Sequence, residues 1–197
     1  AVVIHEFGHV AAYRVCGHSD ARFRLIPLMG GVAISNQMPT SQENDFFITL
    51  MGPGICLAPM ALSMALLEID LIAYSPAADF LWVFATVTGT LNFFNLMPFW
   101  PLDGGRCTVS LIRVFLPRAA LQATMAMAAA TIVLAIYSRS LALMFFALMG
   151  AQNLITRGDV GTTQRPMSKG RGPLALGAYV ATTAAFGVTG WPLLARV

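Results

Sequence analysis

Residues 5–9 read His-Glu-Phe-Gly-His. On an α-helix, positions i and i+4 share a face, so the imidazoles of His5 and His9 can reach one metal ion. Glu6, offset by one residue, can act as general base on a water at an open coordination position. The chemistry of such a set is metal-assisted hydrolysis. A five-residue pattern can arise by chance in a soluble protein, but this one stands in an apolar helix, between Ala1-Val2-Val3-Ile4 and Val10-Ala11-Ala12. Burying two histidines and a glutamate there is costly unless they have a role. A polar cluster that only hydrogen-bonds neighbouring helices is the competing explanation, and it accounts for less.

Catalytic zinc takes three protein ligands and keeps a position open, so a third ligand must come from elsewhere in the chain. His18 is too close along the chain and is expected at the surface as an ordinary exposed histidine. The carboxylates Glu68, Asp70, Asp79 and Asp103 remain. Choosing among them requires the elements that carry them.

Of 197 residues, 57% are hydrophobic and 11% charged, with a mean hydropathy of +0.70. A soluble domain carries about 25% charged residues, and a disordered chain is far less apolar. The apolar residues fall in blocks at 1–17, 46–67, 80–97, 119–137, 141–156 and 174–195, against the ~20 residues that cross a hydrocarbon core. The expected fold is therefore an all-α polytopic membrane protein of about six transmembrane helices. The block at 141–156 is short, 1–17 reads as a helix cut short with part of a span expected before Ala1, and 107–116 is too short to cross. The net charge of +3 does not point to nucleic acid, because the basic residues flank apolar blocks and form no run. Cys16, Cys56 and Cys107 lack a disulfide or CxxC spacing and read as small apolar residues.

If each block crosses once, ten of the twelve Lys and Arg residues lie on one side, in 14–45, 98–118 and 157–173. Short basic loops stay in the cytoplasm. Glu68, Asp70 and Asp79 then face the opposite side, whereas Asp103 shares the side of His5 and His9. At 1.5 Å per residue, His9 lies roughly 7–8 Å inside Arg14 and His5 about 13–14 Å, in the cytoplasmic half of the bilayer. Pro98 and Pro101 should end the preceding helix, and Gly104-Gly105 should let the chain turn sharply. Non-helical backbone at this depth is tolerated when it is buried in protein or lines a cavity. Asp103 can meet the histidines in such a place.

The pair of motifs resembles the site-2 protease family of intramembrane zinc metalloproteases, peptidase family M50. That family joins an HExxH helix to an N-x-x-P-x-x-P-L-D-G segment, matched here by His5 to His9 and by Asn95, Pro98, Pro101, Leu102, Asp103 and Gly104. The resemblance covers residues 1–106 and implies one Zn2+ per chain, held by His5, His9 and Asp103, with Glu6 as catalytic base. It further implies that Asn95 contacts substrate or steadies the oxyanion. Residues 27–33 are similar to the extended segment that follows the family's first helix, and their apolar residues bounded by Gly and Pro suit a strand edge. Gly52-Pro53-Gly54-Ile55-Cys56 approaches a Gly-Pro-x-x-Asn pattern, with Cys56 where the family has Asn.

The expected organisation is a metalloprotease core over 1–106 followed by additional helices over 107–197. The function implied is hydrolysis of peptide bonds in or near transmembrane segments. The partners expected are a transmembrane protein substrate and the lipid bilayer, without nucleic acid, and the small size leans toward a bacterial inner membrane. Two rivals stand beside it. One is a metalloprotease with a distant Glu ligand, for which Glu43 and Glu68 are poorly placed; the other is an inactive pseudoprotease or membrane chaperone. Asn92 shares a helix face with Asn95 and reads as a hydrogen-bond partner for a neighbouring helix. Arg165 to Arg171 reads as a solvated loop near anionic headgroups.

Overall fold

A computed structural model describes residues 1–26, 30–157 and 164–194. Helix α1 spans Val2–Val15 and is followed by the antiparallel strands β1, Arg22–Ile26, and β2, Gly30–Ile34. Then come α2 (Gln42–Leu67), the short α3 (Asp70–Ala73), α4 (Ala77–Asn95) and α5 (Asp103–Phe115). A 3-10 turn at Pro117–Ala119 leads into α6 (Ala120–Tyr137), and α7 (Leu141–Arg157) and α8 (Gly172–Leu194) complete the described chain. The protein is mostly helical, with one small two-stranded sheet where an extended segment was expected. Residues 27–29 of that segment lie outside the described residues.

Among the described residues, four helices are long and apolar enough to cross a membrane: Gln42–Leu67, Ala77–Asn95, Pro117–Tyr137 and Gly172–Trp191. No more than 28% of the most apolar window of any of them is buried within the protein. The rest, including Val133, Leu62 and Val188, presents large apolar side chains that only a lipid phase would cover. These helices mark an integral membrane protein. The two remaining expected spans also form helices, α1 of 14 residues and α7 of 17, both shorter than a full crossing. The patch at 107–116 lies in α5, which is amphipathic: Cys107, Val109, Leu111 and Val114 are buried, while Phe115 is exposed.

The chain divides into two compact units. The first contains Ala1–Met38, Leu50–Asn95 and Tyr179–Val197. Here α1 packs closely on α2 because Gly8 has no side chain: a Cβ there would lie 2.2 Å from the Met51 carbonyl oxygen. A second close crossing joins α4 to α8, where a Cβ on Gly89 would meet the Gly190 backbone at 2.8 Å. Small residues allow helices to approach in this way where lipid supplies no hydrophobic drive between them.

The second unit contains Pro39–Thr49 and Leu96–Ala178. Its α6 and α7 lie side by side, and Trp100 is fixed by donating Nε1–H to the Gly150 carbonyl at 3.1 Å and accepting from Thr131 Oγ1 at 2.9 Å. Residues Arg165 to Arg171 are exposed except for Met167, as expected of a solvated loop, and the segment is also tied to α2. Arg165 bridges to Ser41, Met167 donates its N–H to Gln42 Oε1 at 3.1 Å, and Arg171 pairs with Glu43. Gln164 and Met167 are buried, so backbone that would otherwise be left unpaired is tied to the start of α2. Arg165, Lys169 and Arg171 remain exposed.

Candidate metal centre

Helix α1 brings His5 and His9 onto one buried face, with their Nε2 atoms 3.2 Å apart and their rings edge to face. Two imidazole nitrogens on a tetrahedral zinc, at about 2.0–2.1 Å from the ion, are roughly 3.3–3.4 Å apart. The pair therefore already has the spacing that chelation requires. Glu6 is half-buried, and its Oε2 accepts the Ala33 N–H at 3.0 Å. Ala33 stands opposite Phe23 in the ladder, and its N–H points to α1 instead of to β1. In an antiparallel pair such N–H groups belong to the non-hydrogen-bonded positions. Gly31 permits this approach, since a Cβ there would lie 2.6 Å from Glu6 Cγ.

Two features of this cluster went unread in the sequence. Gly52 opens the space that the His9 ring fills: a Cβ would fall 2.2 Å from Nε2. Asn92, read only as glue between helices, reaches the site itself. It is fully buried, and its Oδ1 lies 2.7 Å from His5 Nδ1. Asn95, one helical turn on, places Nδ2 3.1 Å from His5 Nε2. The HExxH pattern advertises its own residues, whereas a Gly and an Asn carry no such signal; only the Asn92/Asn95 face was visible.

In the second unit, Asp103 is buried at the first position of α5, where the helix dipole favours a carboxylate. Helix α4 ends at Asn95, ahead of Pro98 and Pro101, and 96–102 is non-helical as expected. The reason for the paired glycines differs from the sharp turn anticipated. Neither Gly104 nor Gly105 has a left-handed φ; instead a Cβ would lie 2.0 Å from the Leu96 carbonyl oxygen and 2.4 Å from that of Phe99. The segment folds back onto the start of α5 so closely that only glycine fits. One turn on, Arg106 pairs with Asp45 at 2.8 Å. Burial pushes the Cys107 thiol well above its ordinary range, and the charge of Asp103 adds to this, so Cys107 behaves as a small apolar residue.

His5 and His9 in the first unit and Asp103 in the second are each buried, and each offers one ligand atom of the kind that zinc takes. Two imidazoles and a carboxylate are a zinc donor set of the kind that leaves a coordination position open. Other candidates are engaged elsewhere or exposed. His18 is buried, not exposed as expected: its Nδ1 is 3.2 Å from Ser35 Oγ and its ring stands edge-on to Tyr13, at the joint between α1 and the hairpin. Glu43 pairs with Arg171, and Glu68 is exposed. Cys56 is buried beside the Asn92 side chain.

The family model for peptidase family M50 matches residues 62–138, a stretch that contains Asn95 and Asp103. The zinc metalloprotease homologue Rip3 of Mycobacterium tuberculosis is 33% identical over 124 residues, 60% of this chain and 29% of its own length. A zinc metalloprotease of Methanocaldococcus jannaschii is 30% identical over 112 residues, covering 54% of this chain and 30% of that protein. These matches support peptidase family M50, the site-2 protease family. Stage IV sporulation protein FB of Bacillus subtilis is 28% identical over 59% of this chain and 39% of its own length. The matches thus span about a third of the curated relatives. A solved site-2 protease from Methanocaldococcus jannaschii aligns at 23% identity and a TM-score of 0.47, covering 77% of this chain and 72% of that one. Both metalloprotease relatives are named for zinc, and two imidazoles and a carboxylate are donors that fit that ion.

Proposed function

We propose that this protein is a zinc-dependent intramembrane endopeptidase that hydrolyses peptide bonds in or near transmembrane segments of membrane-protein substrates. The observation that carries the reading is the HExxH pair of α1, already at chelating distance on one buried face. His5, His9 and Asp103 would hold one zinc ion, which would supply Lewis-acid polarisation of the scissile carbonyl and acidify the attacking water. Glu6 accepts the proton of that water as the C–O bond forms, and passes it to the amide nitrogen as the C–N bond breaks. The Ala33 N–H keeps the Glu6 carboxylate turned toward the hairpin. Asn95 donates to the oxyanion, a contact of a kind typically worth about 3–4 kcal/mol.

Helical carbonyls are occupied by their own hydrogen bonds, so the substrate must present extended backbone. The small β1–β2 hairpin beside Glu6 is a sheet to which such a strand could add, with the Ala33 N–H reserved for Glu6. The distribution of basic residues supports a site in the cytoplasmic half of the membrane. A pseudoprotease would have no need of Glu6 between two chelating histidines. The experiment is cleavage of single-span reporter proteins in proteoliposomes by zinc-loaded protein. Cleavage abolished in Glu6→Gln and by chelation supports the reading. Zinc-loaded wild type that cleaves none of the reporters, with Glu6→Gln retaining biological function, would point to the holding role.

A further inference from the structure

Asn92 lies on α4, fully buried, and makes two side-chain hydrogen bonds that together fix its orientation. At one end it lies 2.8 Å from the Thr88 carbonyl oxygen. A carbonyl can only accept, so this end must be the NH2 group. The other end is then Oδ1, and it lies 2.7 Å from His5 Nδ1. An amide oxygen can also only accept, so Nδ1 must carry the imidazole proton. The lone pair of neutral His5 is thereby confined to Nε2, the atom that faces His9 Nε2 at 3.2 Å. Asn95 Nδ2, a donor 3.1 Å from the same Nε2, agrees with an unprotonated nitrogen there.

We infer that Asn92 is a positioning residue that selects the Nδ1–H tautomer of His5 and aims its Nε2 at the metal. The inference rests on the proposal that His5 is a zinc ligand. A histidine free to take either tautomer, or to rotate about its χ2 angle, must be reset before it can bind. A buried acceptor on Nδ1 removes that cost and makes Nε2 the more basic donor. Partners of this type, when removed, typically cost about 10–100-fold in metal affinity. Burial strengthens the effect, because no water competes for the Nδ1 proton.

The test uses the whole chain in detergent, with zinc alone as the probe, as wild type, His5→Ala, Asn92→Leu and Asn92→Asp. Zinc affinity is measured by chelator competition. The His5 tautomer is read from imidazole 15N shifts of metal-free protein, with His5→Ala giving the assignment. Asn92→Leu should weaken zinc binding roughly 10–100-fold, while Asn92→Asp, which keeps an acceptor for the Nδ1 proton and as the neutral acid can still donate to the Thr88 carbonyl, should weaken it less. In the wild type His5 should carry its proton on Nδ1; Asn92→Leu should lose that preference, which a merely structural role would leave unchanged. Wild-type affinity in folded Asn92→Leu, or an Nε2–H tautomer in the wild type, overturns the inference. Should Asn92→Leu fail to fold, the wild-type tautomer and the affinity of Asn92→Asp decide it. A wild type that binds no zinc, or a His5→Ala variant that binds it as tightly, refutes the metalloprotease reading itself.

Discussion

Gly52→Ala should weaken metal binding while leaving most of the fold in place. The added Cβ would sit 2.2 Å from His9 Nε2 and 2.3 Å from Cε1, so one partner has to move roughly 1.2 Å to reach the 3.4 Å of ordinary contact. Helix α2 is held against α1 at Gly8, where the Met51 backbone is in close contact, so the helix cannot easily retreat. The imidazole must therefore move. Zinc–ligand distances tolerate only about 0.2 Å, so the expected loss of zinc affinity is at least ~10-fold, with a stability cost of about 1–3 kcal/mol for the overpacking. Gly54→Ala is the matched control on the same helix: its Cβ would meet only Met51 Sδ, at 3.5 Å. The assay is zinc affinity together with thermal melting in detergent for both variants. Wild-type zinc affinity in Gly52→Ala would refute the placement of His9 against α2, and equal losses in the two variants would mean that helix packing alone is being read.

Three further outcomes follow from the site and its surroundings. Glu6→Gln should lower reporter cleavage by about 10²–10⁴-fold with zinc content unchanged, because the proton acceptor is lost and the ligands are not. Asn95→Ala should lower kcat by about 10²–10³-fold with zinc retained, and a change confined to KM would contradict its oxyanion role. The Asp20 carboxyl is held below its ordinary value of 3.8, first by the Asn36 N–H and then by the Ser35 hydroxyl. Its depressed folded pKa means that its support of the hairpin is complete above the ordinary value and is lost as pH falls through the folded one. Hydrogen exchange at the Asn36 amide should therefore gain protection loss below about pH 4, absent in Asp20→Ala.

The centre was legible in the sequence to the extent that it is local. His5, Glu6 and His9 are set by one helical turn, and the end of α4 before Pro98 follows from the missing proline N–H. Asp103 emerged from topology and charge distribution, and it is a buried first residue of α5. What stayed hidden depends on partners distant in the chain. Gly52 and Gly8 look alike as small residues in apolar helices, yet one accommodates a histidine ring and the other a backbone carbonyl. Gly104 and Gly105 suggested a turn, whereas close backbone approach is what excludes a side chain. His18 was misread because polarity implied exposure; its contacts with Ser35 and Tyr13 make burial affordable. Arg165 to Arg171 is exposed as its charges suggested, but nothing in those charges signalled the buried Met167 or the ties to Ser41, Gln42 and Glu43.

The most direct test of the account is zinc stoichiometry on the purified chain, comparing wild type with Asp103→Ala. It needs no substrate and depends on the third ligand, the one residue of the set that HExxH does not supply. Wild type should hold close to one zinc per chain, and a folded Asp103→Ala variant should lose it. Folded wild type without zinc, or Asp103→Ala retaining it with unchanged affinity, would contradict it.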